Sequence, residues 1–117
     1  MSLPVVAFSK FREANGLIFT AGHVHLKDGK LLEGTVAEKT HQVMKNLESV
    51  LDQAGVTFDN VVKVTIYLTD MSFYSEMNEV YGTYFKEPYP AREAVCVKAL
   101  PLGADIEMSM VAAKGKL

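Results

Sequence analysis

Residues 35–68 read TVAEKTHQVMKNLESVLDQAGVTFDNVVKVTIYL, and the change of period inside this stretch decides the fold class. Thr35 and Glu38 have the spacing of a capping box, in which each side chain satisfies a backbone donor at the start of a helix. Val36, Thr40, Val43, Met44, Leu47, Val50, Leu51 and Ala54 recur at threes and fours, which gives a helix one stripe to bury. Gly55 stands where a helix ends on a left-handed residue. From Val61 the period falls to two. Val62, Val64, Ile66 and Leu68 are expected on one face of a strand, with Val61, Lys63, Thr65 and Tyr67 on the other.

Outward from this unit, Asp70 or Ser72 can cap a second helix whose stripe is Phe73, Met77, Val80, Tyr81 and Tyr84. Pro88 and Pro90 end it, because proline lacks the backbone donor and disfavours helix in the residue before it. Two further strands are expected: Glu93–Leu100, with Val95, Val97 and Ala99 on one face, and Asp105–Ala113. The latter places Ile106, Met108 and Met110 opposite Glu107, Ser109 and Val111. On the N-terminal side, Leu3–Phe8 reads as a short extended run and Leu17–Gly22 as a strand. Asn15-Gly16 between them is a hairpin signal. Asp28-Gly29 centres another turn, linking His23–Leu26 to a short return strand at Leu31-Leu32. The order ββ(β)αβαββ is an α+β pattern in which two helices cover only one face of the sheet. The other face carries Val61, Tyr67 and Val111 among polar residues, and a neighbouring subunit is its expected cover.

Composition narrows the function classes. A length of 117 residues is that of one domain, 1–117, and 49% apolar against 22% charged is ordinary for a globular one. The net charge is −2 and no run of Lys or Arg occurs, so nucleic acid is not the first partner to expect. Cys96 is the sole cysteine, which excludes a disulfide within the chain. No apolar run approaches the roughly 20 residues that span a bilayer. Met1–Pro4 lacks the basic stretch and apolar core of a signal peptide, so the expected location is cytoplasmic.

Familiar catalytic spacings are missing: there is no glycine-rich phosphate loop and no HExxH. His23 and His25 would share a strand face, but two ligands are too few for a zinc site, and they read as polar residues of an edge or loop. His41 reads as a surface residue of the first helix. Cys96, between Val95 and Val97, reads as a buried, inert thiol. Arg92 is the more telling residue. It follows Pro88-Tyr89-Pro90-Ala91 and opens an apolar strand, and its planar fork suits a carboxylate. Glu107, flanked by Ile106 and Met108, is either a solvent-facing strand residue or a partly buried carboxyl able to move a proton near neutral pH. If the last two strands form a plain hairpin around Leu102-Gly103, Arg92 lies opposite Ala113. Glu107 is then about 20 Å away along the strand. A shared pocket needs another strand order or residues from two chains.

With these residues assembled, the chain resembles the RidA family of reactive-intermediate deaminases, also called the YjgF or L-PSP endoribonuclease-like family. The resemblance covers nearly the whole chain. It is carried by Leu17-Ile18-Phe19-Thr20-Ala21-Gly22-His23, by Val64-Thr65-Ile66-Tyr67-Leu68-Thr69-Asp70, by Asn78 with Tyr81, and above all by Pro90-Ala91-Arg92-Glu93-Ala94-Val95. That last piece continues through Leu100-Pro101-Leu102-Gly103-Ala104 to Ile106-Glu107-Met108. The resemblance implies a chorismate-mutase-like mixed sheet of about six strands with two helices packed on one face. It also implies a homotrimer with clefts between subunits and hydrolysis of 2-imino or enamine acids to 2-keto acids and ammonia, with no metal or organic cofactor. By position, Arg92 would clamp the substrate carboxylate and Glu107 would hold or activate the water. The backbone of Ala94 would line the pocket, Gly22 would admit a close neighbour, and Asn78 matches a recurrent polar position of the second helix. Phe8, Ala21 and Ala94 stand where the family often has tyrosine, serine and cysteine. The expected pocket is therefore less polar, which points to more apolar imines or to slow turnover. Two other functions belong to the same resemblance or to these departures: an endoribonuclease that inhibits translation, and a non-enzymatic small-carboxylate-binding or chaperone-like trimer.

Overall fold

The structure, a computed structural model, describes residues 7–115. The long helix α1 (Val36–Gln53) begins as its sequence dictates. Thr35 Oγ1 accepts the Glu38 N–H at 3.1 Å, and Glu38 Oε1 accepts the Thr35 N–H at 2.9 Å. It buries Thr40, Val43, Met44, Leu47, Val50 and Leu51. Its end is a Schellman turn: the Val56 N–H reaches the Leu51 carbonyl and the Gly55 N–H reaches that of Asp52, both at 3.0 Å. This geometry requires the positive φ of 82° that Gly55 adopts.

The strands in chain order are β1 (Phe11–Ala14), β2 (Leu17–Thr20), β3 (His23–Val24), β4 (Leu26–Lys27), β5 (Lys30–Leu31), β6 (Val61–Leu68), β7 (Ala91–Cys96) and β8 (Ile106–Ala113). The second helix, α2 (Tyr74–Gly82), lies between β6 and β7. Six of the strands form a mixed sheet ordered β1-β2-β8-β6-β7, with β3 also paired to β8; β4 and β5 form a separate ribbon. Both turn signals hold. Asn15-Gly16 joins β1 to β2 and Asp28-Gly29 joins β4 to β5, each through two positive-φ residues. Alternation along β6 and β8 leaves one sheet face against the helices and the other uncovered. Val64, Ile66, Leu68, Ile106, Met108 and Met110 join α1 and α2 in one apolar cluster. No helix among the described residues is long and apolar enough to cross a membrane.

Several expectations change, among them the strand expected at Glu93–Leu100, which is Ala91–Cys96. The apolar run Leu3–Phe8 lies mostly outside the described residues, and the partner of β2 is instead Phe11–Ala14, a segment without an apolar pattern. Val61 is buried while Val62 is 38% exposed, because an irregularity between Val61 and Lys63 inserts one residue and reverses the alternation at the start of β6. The final strands are not a hairpin. β7 runs parallel to β6, as the α2 crossover requires, and β6 separates it from β8. Finally, Cys96 is exposed rather than buried, since β7 is an edge strand and Cys96 is its last residue.

His25 lies in the bend between β3 and β4, a loop position as expected, but it is buried there and ties segments together. Its Nδ1 pairs with the Leu32 carbonyl and its Nε2 accepts the Asp105 N–H, each at 3.0 Å, so the neutral ring carries its proton on Nδ1. The Asp105 carboxylate in turn takes Lys39 Nζ at 2.5 Å and Thr69 Oγ1 at 3.3 Å. Burial holds the His25 pKa below its ordinary value, and the same holds for His23. The unfolded chain thus binds protons more readily, so stability falls as pH drops below about 6.5. The melting temperature should decline from pH 7 towards pH 5, and proton NMR of the His25 ring should show a midpoint below 6.5. A midpoint at or above it contradicts the tie described.

Candidate functional site

Two clusters hold the residues singled out from the sequence. The first is built on β7 and α2. Arg92 lies opposite Val64 in the parallel register, hence on the helix side of the sheet. Its Nη1 donates to Asn78 Oδ1 at 2.5 Å and its Nη2 to the Tyr74 hydroxyl at 2.6 Å. Its Cζ stands 4.8 Å from the Tyr81 ring centre and 5.6 Å from that of Tyr74, within cation–π range. Burial pushes the Tyr81 phenol up to about 12, against the opposing pull of the Arg92 charge, so it stays neutral at working pH. Ala94 follows on the same face, half-buried against the core opposite Ile66.

The second cluster lies where β2 gives way to β3. A cavity of about 750 Å³ is lined by Phe8, Ala21, Gly22, His23, Leu102 and Glu107, among others. Gly22 packs so closely on Glu107 that a Cβ there would sit 2.9 Å from its Cδ, so only glycine leaves the carboxylate in place. Glu107 lies opposite Tyr67 on β6 and alternates with the buried Ile106 and Met108, which sets it on the uncovered face. Burial alone raises its pKa above the ordinary carboxylate value.

The fold therefore assembles Arg92 with Asn78, and Glu107 with Gly22, Ala21 and Phe8, but sets the two groups on opposite faces of one sheet. Among the described residues of one chain they do not meet in one pocket. The part that two residues of the first cluster play toward Arg92 escaped the sequence reading, although Tyr81 stands with Asn78 in the resemblance. Tyr74 was outside the expected stripe and Tyr81 inside it as an apolar member, yet both turn to Arg92. Their spacing with Asn78 at i, i+4 and i+7, all polar-tipped, was the available signal. Among the described residues no group of three or more His, Cys, Asp or Glu side chains is placed to hold an ion.

Residues 2–114 match the family model described as Endoribonuclease L-PSP. The chain belongs to the RidA/YjgF/L-PSP family. Protein HMF1 of Saccharomyces cerevisiae is 43% identical over 116 residues, covering 97% of this chain and 90% of that protein. The human 2-iminobutanoate/2-iminopropanoate deaminase is 42% identical over 102 residues, covering 86% and 74%. The crystal structure of RidA from an Antarctic Psychrobacter has a TM-score of 0.88 at 31% identity, covering 95% of this chain and 91% of that one. Names within the RidA/L-PSP family thus run from deaminase to endoribonuclease, and membership alone does not choose between them.

Proposed function

We propose that this chain is a hydrolytic deaminase of reactive 2-imino or enamine acids, working in clefts between the subunits of a homotrimer. The observation that carries the reading is the division of the site. An oriented cation, two of its donors held by neutral neighbours, lies on one face of the sheet. A carboxyl of raised pKa, in a cavity, lies on the other. Each is half of a C=N hydrolysis site, and a neighbouring copy completes it.

In the scheme, Arg92 of one subunit grips the substrate carboxylate and Glu107 of the next faces the imine carbon. A protonated imine is already electrophilic, so the enzyme needs orientation, a water and a proton path. Glu107 takes a proton from water as its oxygen bonds to the carbon and the C=N electrons move to nitrogen. The resulting carbinolamine receives that proton on nitrogen and the C–N bond breaks; the hydroxyl passes its own proton through Glu107 to the departing ammonia, which leaves as ammonium, and the oxygen becomes the keto oxygen. Water is consumed, a 2-keto acid and ammonium are released, and Glu107 is regenerated. The apolar Phe8, Ala21 and Leu102 in the Glu107 cavity suit substrates with aliphatic side chains.

The test couples the protein to an amino-acid oxidase and follows keto-acid release from small and branched substrates. Release faster than in buffer is expected; none across the series overturns the reading. The ribonuclease alternative draws on the description of the family model. The net charge of −2 weighs against it, since phosphate binding calls for concentrated positive charge. RNA cleavage with steep salt dependence would favour it instead.

A further inference from the structure

We propose that Tyr74 is a positioning residue for Arg92: its hydroxyl, with Asn78 and the ring of Tyr81, holds the guanidinium ready to take a carboxylate. What is gripped rests on the deaminase reading above; how the cation is held rests on geometry alone. An unanchored arginine side chain has wide rotamer freedom, which binding would have to remove. Here that freedom is already restricted. The Tyr74 hydroxyl takes an Nη2–H at 2.6 Å, Asn78 Oδ1 takes an Nη1–H at 2.5 Å, and the two tyrosine rings flank Cζ. Because Tyr74, Asn78 and Tyr81 share one face of α2, a single helix carries the whole cradle. The parallel pairing of β6 and β7 brings Arg92 beside it.

The partners are all neutral. Each orients the cation without cancelling its charge, and no ion pair among the described residues engages it. Tyr81 adds a ring that stays un-ionised, so it cannot become a counter-ion. A guanidinium has five N–H donors, and two are occupied by neighbours. The remainder exceeds what a bidentate carboxylate takes. An arginine held by neutral oxygens with donors to spare is one prepared for an anion.

The substitution Tyr74→Phe removes the hydroxyl and keeps the ring. Calorimetric titration with 2-oxobutanoate should show an increase in Kd of about three- to tenfold, the range of one lost hydrogen bond. KM for the imine should rise by a similar factor with kcat nearly unchanged, because a carboxylate grip acts on ground and transition states alike. Nitrogen-15 NMR of the Arg92 guanidinium, without ligand, should show slow rotation about Cζ–Nε in the wild type and faster rotation in Tyr74→Phe. Unchanged Kd, or unchanged rotation, overturns the proposal. If the wild type neither binds the keto acid nor turns over imine, the deaminase reading fails by itself, and the rotation measurement still decides whether Tyr74 holds Arg92.

Discussion

Replacing Glu107 with glutamine lowers kcat a hundredfold or more while KM stays within about twofold, the loss expected when a positioned general base is removed. Glutamine keeps the shape that Gly22 accommodates, and it cannot accept a proton. Substrate binding is largely spared because the carboxylate grip belongs to Arg92, in the other half of the site. The pH profile gives a second reading of the same residue. Burial raises the Glu107 pKa above its ordinary value of 4.5. The active form is the carboxylate, so the protonated, inactive fraction persists to higher pH than for an exposed glutamate. Wild-type kcat/KM should therefore fall on acidification along a limb whose midpoint lies above 4.5, and Glu107→Gln should lack that limb. A variant with wild-type kcat and the same limb would mean that water is activated elsewhere.

Truncating Arg92 to alanine lowers kcat/KM by about ten- to a hundredfold, the worth of roughly 1.5–3 kcal/mol for a hydrogen bond to a charged group. Most of it appears in KM. Lysine restores little, since a point charge cannot both rest on Asn78 and Tyr74 and offer a planar fork to the ligand. Equal rates for wild type and Arg92→Ala would remove Arg92 from the mechanism. The two variants together probe the division of the site. If Arg92 of one subunit works with Glu107 of another, co-refolding equal amounts of Arg92→Ala and Glu107→Gln chains restores activity. About a quarter of the clefts would then hold both native residues, by random assortment in a closed ring. No recovery would place both residues of each working site on one chain, contrary to the opposite faces they occupy here.

How much of this was legible beforehand follows the range of the interactions involved. The caps of α1, its buried stripe and the Asn-Gly and Asp-Gly turns are encoded within a few residues of one another, and the structure reproduces them. Alternation in β8 is equally local and held throughout. In β6 it held from Val64 onward and failed at Val62, where the irregularity arises from pairing with a strand about fifty residues later. The exposure of Cys96 departs from the expected burial for the same kind of reason. Flanking valines describe a strand but not whether it lies at an edge.

By itself, the order of residues determined the α+β class, both helices and, through the motif around Pro90–Val95, the family and the two charged residues to watch. Only the tertiary structure decided that β8 enters between β2 and β6, that Arg92 and Glu107 therefore occupy opposite faces, and that Tyr74 leans on the guanidinium. The reason is physical: helix periods, caps and tight turns are settled by neighbours along the chain. Strand order and side-chain partnership are settled by which distant surfaces bury the most apolar area together, and no short window of sequence contains that competition.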